Sequence, residues 1–191
     1  MTLEIGRPRD PRIDSAVLRS TVELVSETGY AALSVDAIAR RAHTSKPAIY
    51  RRWPSKAHLV HEAVFLIDSG TELPDTGSLE GDVREMVRRT VAVLTTPAAR
   101  AAIPGLVGEM AADLTLHSAL LERFAGILRS GLTERLHEAM VRNEIRPDVT
   151  AAELTEALAG ITFLALLTRG ATLDGTWVER TATLILRGIS A

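Results

Sequence analysis

Between residues 34 and 56 the chain reads SVDAIARRAHTSKPAIYRRWPSK, and this stretch concentrates side chains suited to bonding phosphate. Lys46, Arg51, Arg52 and Lys56 supply cations. Ser34, Thr44, Ser45 and Tyr50 supply hydroxyls. Such groups make most contacts to a nucleic-acid backbone. Lys46, Pro47 and Ala48 stand together at the start of an expected helix, where a lysine can donate to a guanine edge and small apolar groups can meet a thymine methyl. Tyr50 and Lys56 are expected to clamp phosphates. No competing catalytic set is visible. A nucleophile elbow, a phosphate loop and a zinc-protease helix motif are all absent from the sequence. There are no cysteines, which excludes disulfides, thiolate catalysis and cysteine-ligated metal.

Two short helices are expected to position these groups. Ser34 can cap the first, over residues 35–42, because its hydroxyl can accept a bond from a free backbone N–H. Val35, Ile38, Ala39 and Ala42 then form one apolar stripe, with Arg40 and Arg41 off it. The turn falls at His43-Thr44, and a positive φ there suits glycine best, although histidine tolerates it better than most residues. Ser45 caps the second helix. Pro47 sits in its first turn, where a missing N–H costs nothing. Ile49 is assigned to the core, and Lys46, Ala48, Arg51 and Arg52 project outward. Pro54 and Ser55 end this helix and cap the next.

The charge distribution agrees with a phosphate-facing head. The net charge is −2, yet residues 1–60 hold ten Lys/Arg against six Asp/Glu, and the remainder twelve against eighteen. A basic end on an acidic body is what results when one end meets nucleic acid. Hydrophobic residues make up 46% of the chain and aromatics only 4%, so aliphatic packing between helices must form the core. No secretory signal is visible in the first residues. The apolar run 157–168 is shorter than the roughly 20 residues a membrane span needs. A buried helix, no membrane association and a cytoplasmic location are expected.

In chain order, residues 1–9 read as a basic arm. Asp10 and Pro11 open a helix whose stripe is Ile13, Ala16, Val17, Leu24 and Val25, ended by Gly29 in the left-handed region with Tyr30 packing back. A fourth helix starts after Ser55 and reaches about Ser69, carrying Leu59, Val60, Ala63, Val64 and Ile67 inward. Residues 69–78 form a loop. Five more helices are expected. One runs from Ser78 to about Thr95, with Val83, Met86, Val87, Val91 and Leu94 inward. One follows Pro97 to about Ala112, with a break at Pro104-Gly105. A long one spans 117–143, burying Leu120, Leu121, Phe124, Ile127, Leu128, Leu132, Leu136 and Met140. One is capped by Thr150 and runs to Thr168, and the last is capped by Asp174 and runs to about Gly188. His58 and His61 beside Glu62 have metal-compatible spacing but no third ligand, so no metal site is expected. Met86, Met110 and Met140 read as core or as lining of an adaptable pocket.

The string Ser-Lys-Pro-Ala-Ile-Tyr-Arg-Arg-Trp-Pro-Ser-Lys resembles the recognition segment of the TetR (tetracycline-repressor-like) family of bacterial transcription regulators. The resemblance extends from Ile13 to Val64 through Thr28-Gly29-Tyr30, Leu33-Ser34-Val35, Ile38-Ala39, Ala42, Ser45, Ile49-Tyr50, Trp53 and Ser55-Lys56. His43 departs from the usual glycine, Thr44 from an aliphatic and Trp53 from phenylalanine. The resemblance implies an all-α protein with a three-helix helix-turn-helix DNA-binding domain over residues 1–54 and a helical ligand-binding and dimerisation bundle over 55–191. It implies a ligand-responsive homodimer, a repressor that binds a palindromic operator in double-stranded DNA and is released by a small-molecule effector, with no cofactor and with the fourth helix carrying the movement. The last two helices are apolar on more than one side and need more than one neighbour. Their Leu154, Leu158, Ile161, Trp177, Leu184 and Ile185 are expected at the dimer interface, the alternative being a central place in a monomer core. An all-helical enzyme and a protein-binding helical module are the competing readings.

Overall fold

Serine and aspartate caps punctuate the chain and set where its helices begin. The computed structural model describes residues 11–65, 74–169 and 173–191, with the side chains of 120–131 and of residue 169 left aside. The expected arm over 1–9, the Asp10 cap, Ile67 and residues 69–73 of the expected loop lie outside the described residues. So do the side chains of Leu120, Leu121, Phe124, Ile127 and Leu128. Among the described residues the elements are α1 (Pro11–Ala32), α2 (Val35–Arg41), α3 (Lys46–Tyr50), α4 (Lys56–Val64), α5 (Leu79–Leu94), α6 (Pro97–Ala112), α7 (Leu114–Val141), α8 (Ala151–Arg169) and α9 (Gly175–Ile189). The chain is all-α. An isolated antiparallel bridge joins Ile145 to Ser190.

Among the described residues, side-chain oxygens of Ser34, Ser45, Ser55, Ser78, Thr96, Asp113 and Asp174 accept orphan backbone N–H groups at helix starts. Asp113 draws the start of α7 three residues ahead of the expected one, and α7 runs on through Gly131. At α8, Thr150 and Glu153 cap reciprocally. The Thr150 N–H donates to Glu153 Oε2 (3.0 Å) and the Glu153 N–H to Thr150 Oγ1 (3.2 Å). Glu153 therefore has a structural task beyond solvation.

Two expected breaks differ. α6 continues through Pro104, whose exposed ring costs a ladder bond without ending the helix. Gly29 has φ 77° and ψ 166°, so its φ is positive but it is not left-handed helical. It kinks α1, and a further short turn carries Tyr30.

Packing divides the chain into two compact units, Met1–Leu66 with Ala101–Ala112, and Ile67–Arg100 with Asp113–Ala191. In the first, α1 packs on α2 and α4, and α2 on α3. Val17, Leu24 and Val25 of α1, Val35 and Ile38 of α2, Ile49 of α3, and Leu59 and Val60 of α4 are buried. In the second, α5 packs on α8 and α9, and α8 also on α7. Val83, Val87, Leu132, Leu136, Leu154, Leu158, Val178 and Ile185 build that core. Its buried carboxylate, Asp82, is fully engaged. It accepts from Thr76 N (2.8 Å), Thr76 Oγ1 (2.9 Å) and Arg135 Nη1 (2.6 Å), which offsets the cost of burying a charge.

Helix α8 is a correction. The apolar stretch is longer than 157–168, and residues 151–168 are long and apolar enough to meet the length and composition of a membrane span. Only 28% of that window is buried. Leu154, Leu158, Thr162 and Ala165 are buried, while Leu164 and Leu167 are about 60% exposed.

Candidate nucleic-acid interface

The reading unit is assembled by caps on either side of one tight turn. Ser34 Oγ accepts from Ala37 N (3.2 Å), and Ser45 Oγ from Ala48 N (3.3 Å). Between them His43 sits at φ 50°, as the turn requires. The Thr44 N–H closes the turn on Ala39 O (2.9 Å), satisfying a carbonyl at the end of α2. Ile49 is buried and pins α3 against the core. Trp53 is also buried, its Nε1–H donating to Glu62 Oε2 (2.9 Å). With Ile49 inward, Ser45, Lys46, Pro47, Tyr50 and Arg51 are exposed, while Thr44 and Ala48 are half-buried. Tyr50 has 42% of its surface open. Ser34 is exposed at the start of α2.

Two expected phosphate contacts are turned inward. Arg52 Nε pairs with Asp14 of α1, and its side chain is mostly covered. Lys56 donates from Nζ to Tyr30 O (3.2 Å), and its ammonium lies 4.1 Å from the centre of the Tyr30 ring. Both residues tie helices together within the chain. Their partners are distant in sequence, so spacing alone did not reveal them.

Acidic residues that the sequence reading passed over hold other cations. Asp36 Oδ2 pairs with Lys46 Nζ at 2.8 Å. That hydrogen bond lowers the Asp36 pKa and raises that of Lys46. Arg41 bonds Glu27 through both terminal nitrogens (2.8 and 3.0 Å), which lowers the Glu27 pKa. Tyr30 is buried, and its hydroxyl lacks a hydrogen bond of ordinary geometry. Burial first, and then the Glu109 carboxylate, push its phenol pKa up.

The side chains of the histidine cluster have partners within the chain. His58 Nδ1 is 2.9 Å from the Ser55 hydroxyl, the His61 ring meets Phe65 in a tilted contact, and Glu62 receives the Trp53 indole. Among the described residues no group of three or more His, Cys, Asp or Glu side chains could hold a metal ion.

The expected interface residues separate into two sets. Leu154, Leu158 and Ile185 are interior to the single chain, so they cannot form the surface of a pairing face. Ile161 and Trp177 are half-buried, and Leu184 is 64% exposed. A shallow groove of about 360 Å³ beside Leu184 is lined by Glu179, Arg180, Thr183 and Arg187, all on α9.

Residues 17–63 match the family described as bacterial regulatory proteins, tetR family, and residues 73–185 match the tetracyclin repressor-like C-terminal domain. The chain belongs to the TetR family. Its relatives include the DNA-binding transcriptional repressor TetR of Mycobacteroides abscessus, 32% identical over 171 residues, covering 87% of each protein. The uncharacterized HTH-type transcriptional regulator YdeS of Bacillus subtilis is 29% identical over 188 residues, covering 97% of this chain and 94% of YdeS. Among solved structures, the TetR family transcription regulator SCO0332 superposes with a TM-score of 0.71 at 29% identity, over 94% of this chain and all of that one. As a TetR-family member, the protein is a DNA-binding transcriptional regulator and not an enzyme.

Proposed function

We propose that the protein is a homodimeric repressor that binds a palindromic operator and releases it when a small molecule binds. Residues 1–54 do the reading, and residues 55–191 bind the effector and dimerise. The observation that carries this reading is α3, a helix anchored by buried Ile49 that exposes Lys46, Pro47 and Tyr50. Ser34, Thr44, Ser45, Ala48 and Arg51 add contacts around it. Arg52 and Lys56 contribute by fixing α3 and α4 to α1.

The exposed leucines of α8 and α9 support pairing. Leu164, Leu167 and Leu184 are large, apolar and open in a single chain. With Ile161 and Trp177 they supply the face that a twofold partner would cover. In that setting α8 is an interface helix working in the cytoplasm, away from membranes. Repression is favoured by the name of the Mycobacteroides abscessus relative. The effector acts through its differential affinity for DNA-competent and DNA-incompetent forms of the dimer.

Selection of duplexes from a random pool, followed by native mass measurement on the winner, tests this reading. Two chains on an inverted repeat with half-site centres about 34–36 Å apart, or a multiple of that, is the expected result. An asymmetric site bound by one chain would overturn it.

A further inference from the structure

Asp36 occupies the first turn of α2, with its carboxylate 2.8 Å from the Lys46 ammonium at the start of α3. The two side chains are 55% and 45% exposed, so both stand on the surface assigned to DNA. A carboxylate on such a surface is an anomaly if its only effect is to repel phosphate. It has a use if it acts on its neighbour.

We propose that Asp36 is a specificity-determining residue, which holds the Lys46 ammonium in one place and offsets its charge, so that Lys46 serves as an oriented donor to a base edge. The inference rests on α3 being the reader. An unpaired lysine is a mobile point charge on a flexible stem, ready to meet any phosphate in reach. Its ammonium carries three donors, and Asp36 takes one. The other two stay available to a guanine O6 or N7. The pair as a whole has no net charge, and its acidic member faces the same surface. Phosphate attraction supplies nearly all binding to unrelated DNA. Asp36 therefore weakens unrelated complexes more than the one in which a base satisfies Lys46. Arg40 is the other cation whose charge acts on Asp36, and it is exposed on the same helix.

The test compares the parent, Asp36→Asn, Lys46→Ala and the double variant on the parent's preferred duplex and on an unrelated duplex, across a salt series. Asparagine keeps the size and an acceptor oxygen but removes the charge. Asp36→Asn is expected to tighten unrelated binding, to steepen its salt slope by about 0.9, one phosphate contact, and to lower the preference ratio roughly two- to fivefold, the scale of an exposed charge pair. In the Lys46→Ala background the same change should leave the ratio unmoved. An unchanged ratio and slope in Asp36→Asn, or an equal fall in the Lys46→Ala background, overturns the proposal while leaving the reader in place. A parent that prefers no duplex overturns the reader assignment and this inference with it.

Discussion

Ile49 and Lys46 are three residues apart in one short helix, the first buried and the second exposed. Ile49 is buried, with 1% of its surface accessible, and fixes how α3 stands. Its replacement by alanine is expected to cost about 2–5 kcal/mol, as a denaturant titration would measure. An unchanged midpoint would mean that α3 is held by something else. Both placements were legible in the sequence, because a single strongly apolar residue among polar ones has one sensible destination. The positive φ at His43 was legible too, since a turn of that length leaves few conformations. The inward roles of Arg52 and Lys56 were not. Each depends on a partner in α1, Asp14 or the Tyr30 carbonyl, brought close only by folding. Asp36 was missed for the same reason, as its pairing joins two helices across the turn.

Helix starts were the most readable elements, because a Ser, Thr or Asp cap is a local device. Ends and kinks were less so. Gly29 kinks α1 at ψ 166°, and α6 passes through Pro104. Next to that proline, Gly105 lies so close to Tyr30 that an added Cβ would overlap the ring atoms Cδ1 and Cγ. Gly105→Ala must therefore push α6 and Tyr30 apart. The expected loss is about 1–3 kcal/mol, the usual cost of overpacking, read as a lower thermal midpoint. A midpoint equal to the parent's would contradict the close approach. On α5, Arg88 and Arg89 both bond Glu85 and hold its pKa at about 2, below the ordinary 4.5. A depressed carboxylate stabilises the fold fully above its unfolded value, and that contribution is lost as pH falls through the folded one. Between pH 4.5 and 2 the parent should lose more stability than Glu85→Gln. Equal acid sensitivity would mean that the two arginines do not hold the carboxylate.

At the scale of the molecule, the all-helical architecture and its basic head were legible from hydrophobic spacing and charge asymmetry. The division of apolar residues between core and surface was not. α8 and α9 carry apolar side chains on several faces, and spacing does not say which face a chain covers for itself. Leu154, Leu158 and Ile185 are covered, and Leu164, Leu167 and Leu184 are open. A charge at Leu167 or Leu184 should therefore leave each chain folded but halve the native mass and weaken operator binding. Dimers of unchanged affinity would locate the interface elsewhere. The proposed twofold symmetry also makes the reader's contribution countable, because each α3 would act once per half-site. Duplex selection repeated with Lys46→Ala tests that most directly. The account predicts the same inverted repeat and spacing, one relaxed position in each half, and an affinity loss of about 1–3 kcal/mol per lost base contact. Recovery of the parent's consensus at the parent's affinity would contradict it.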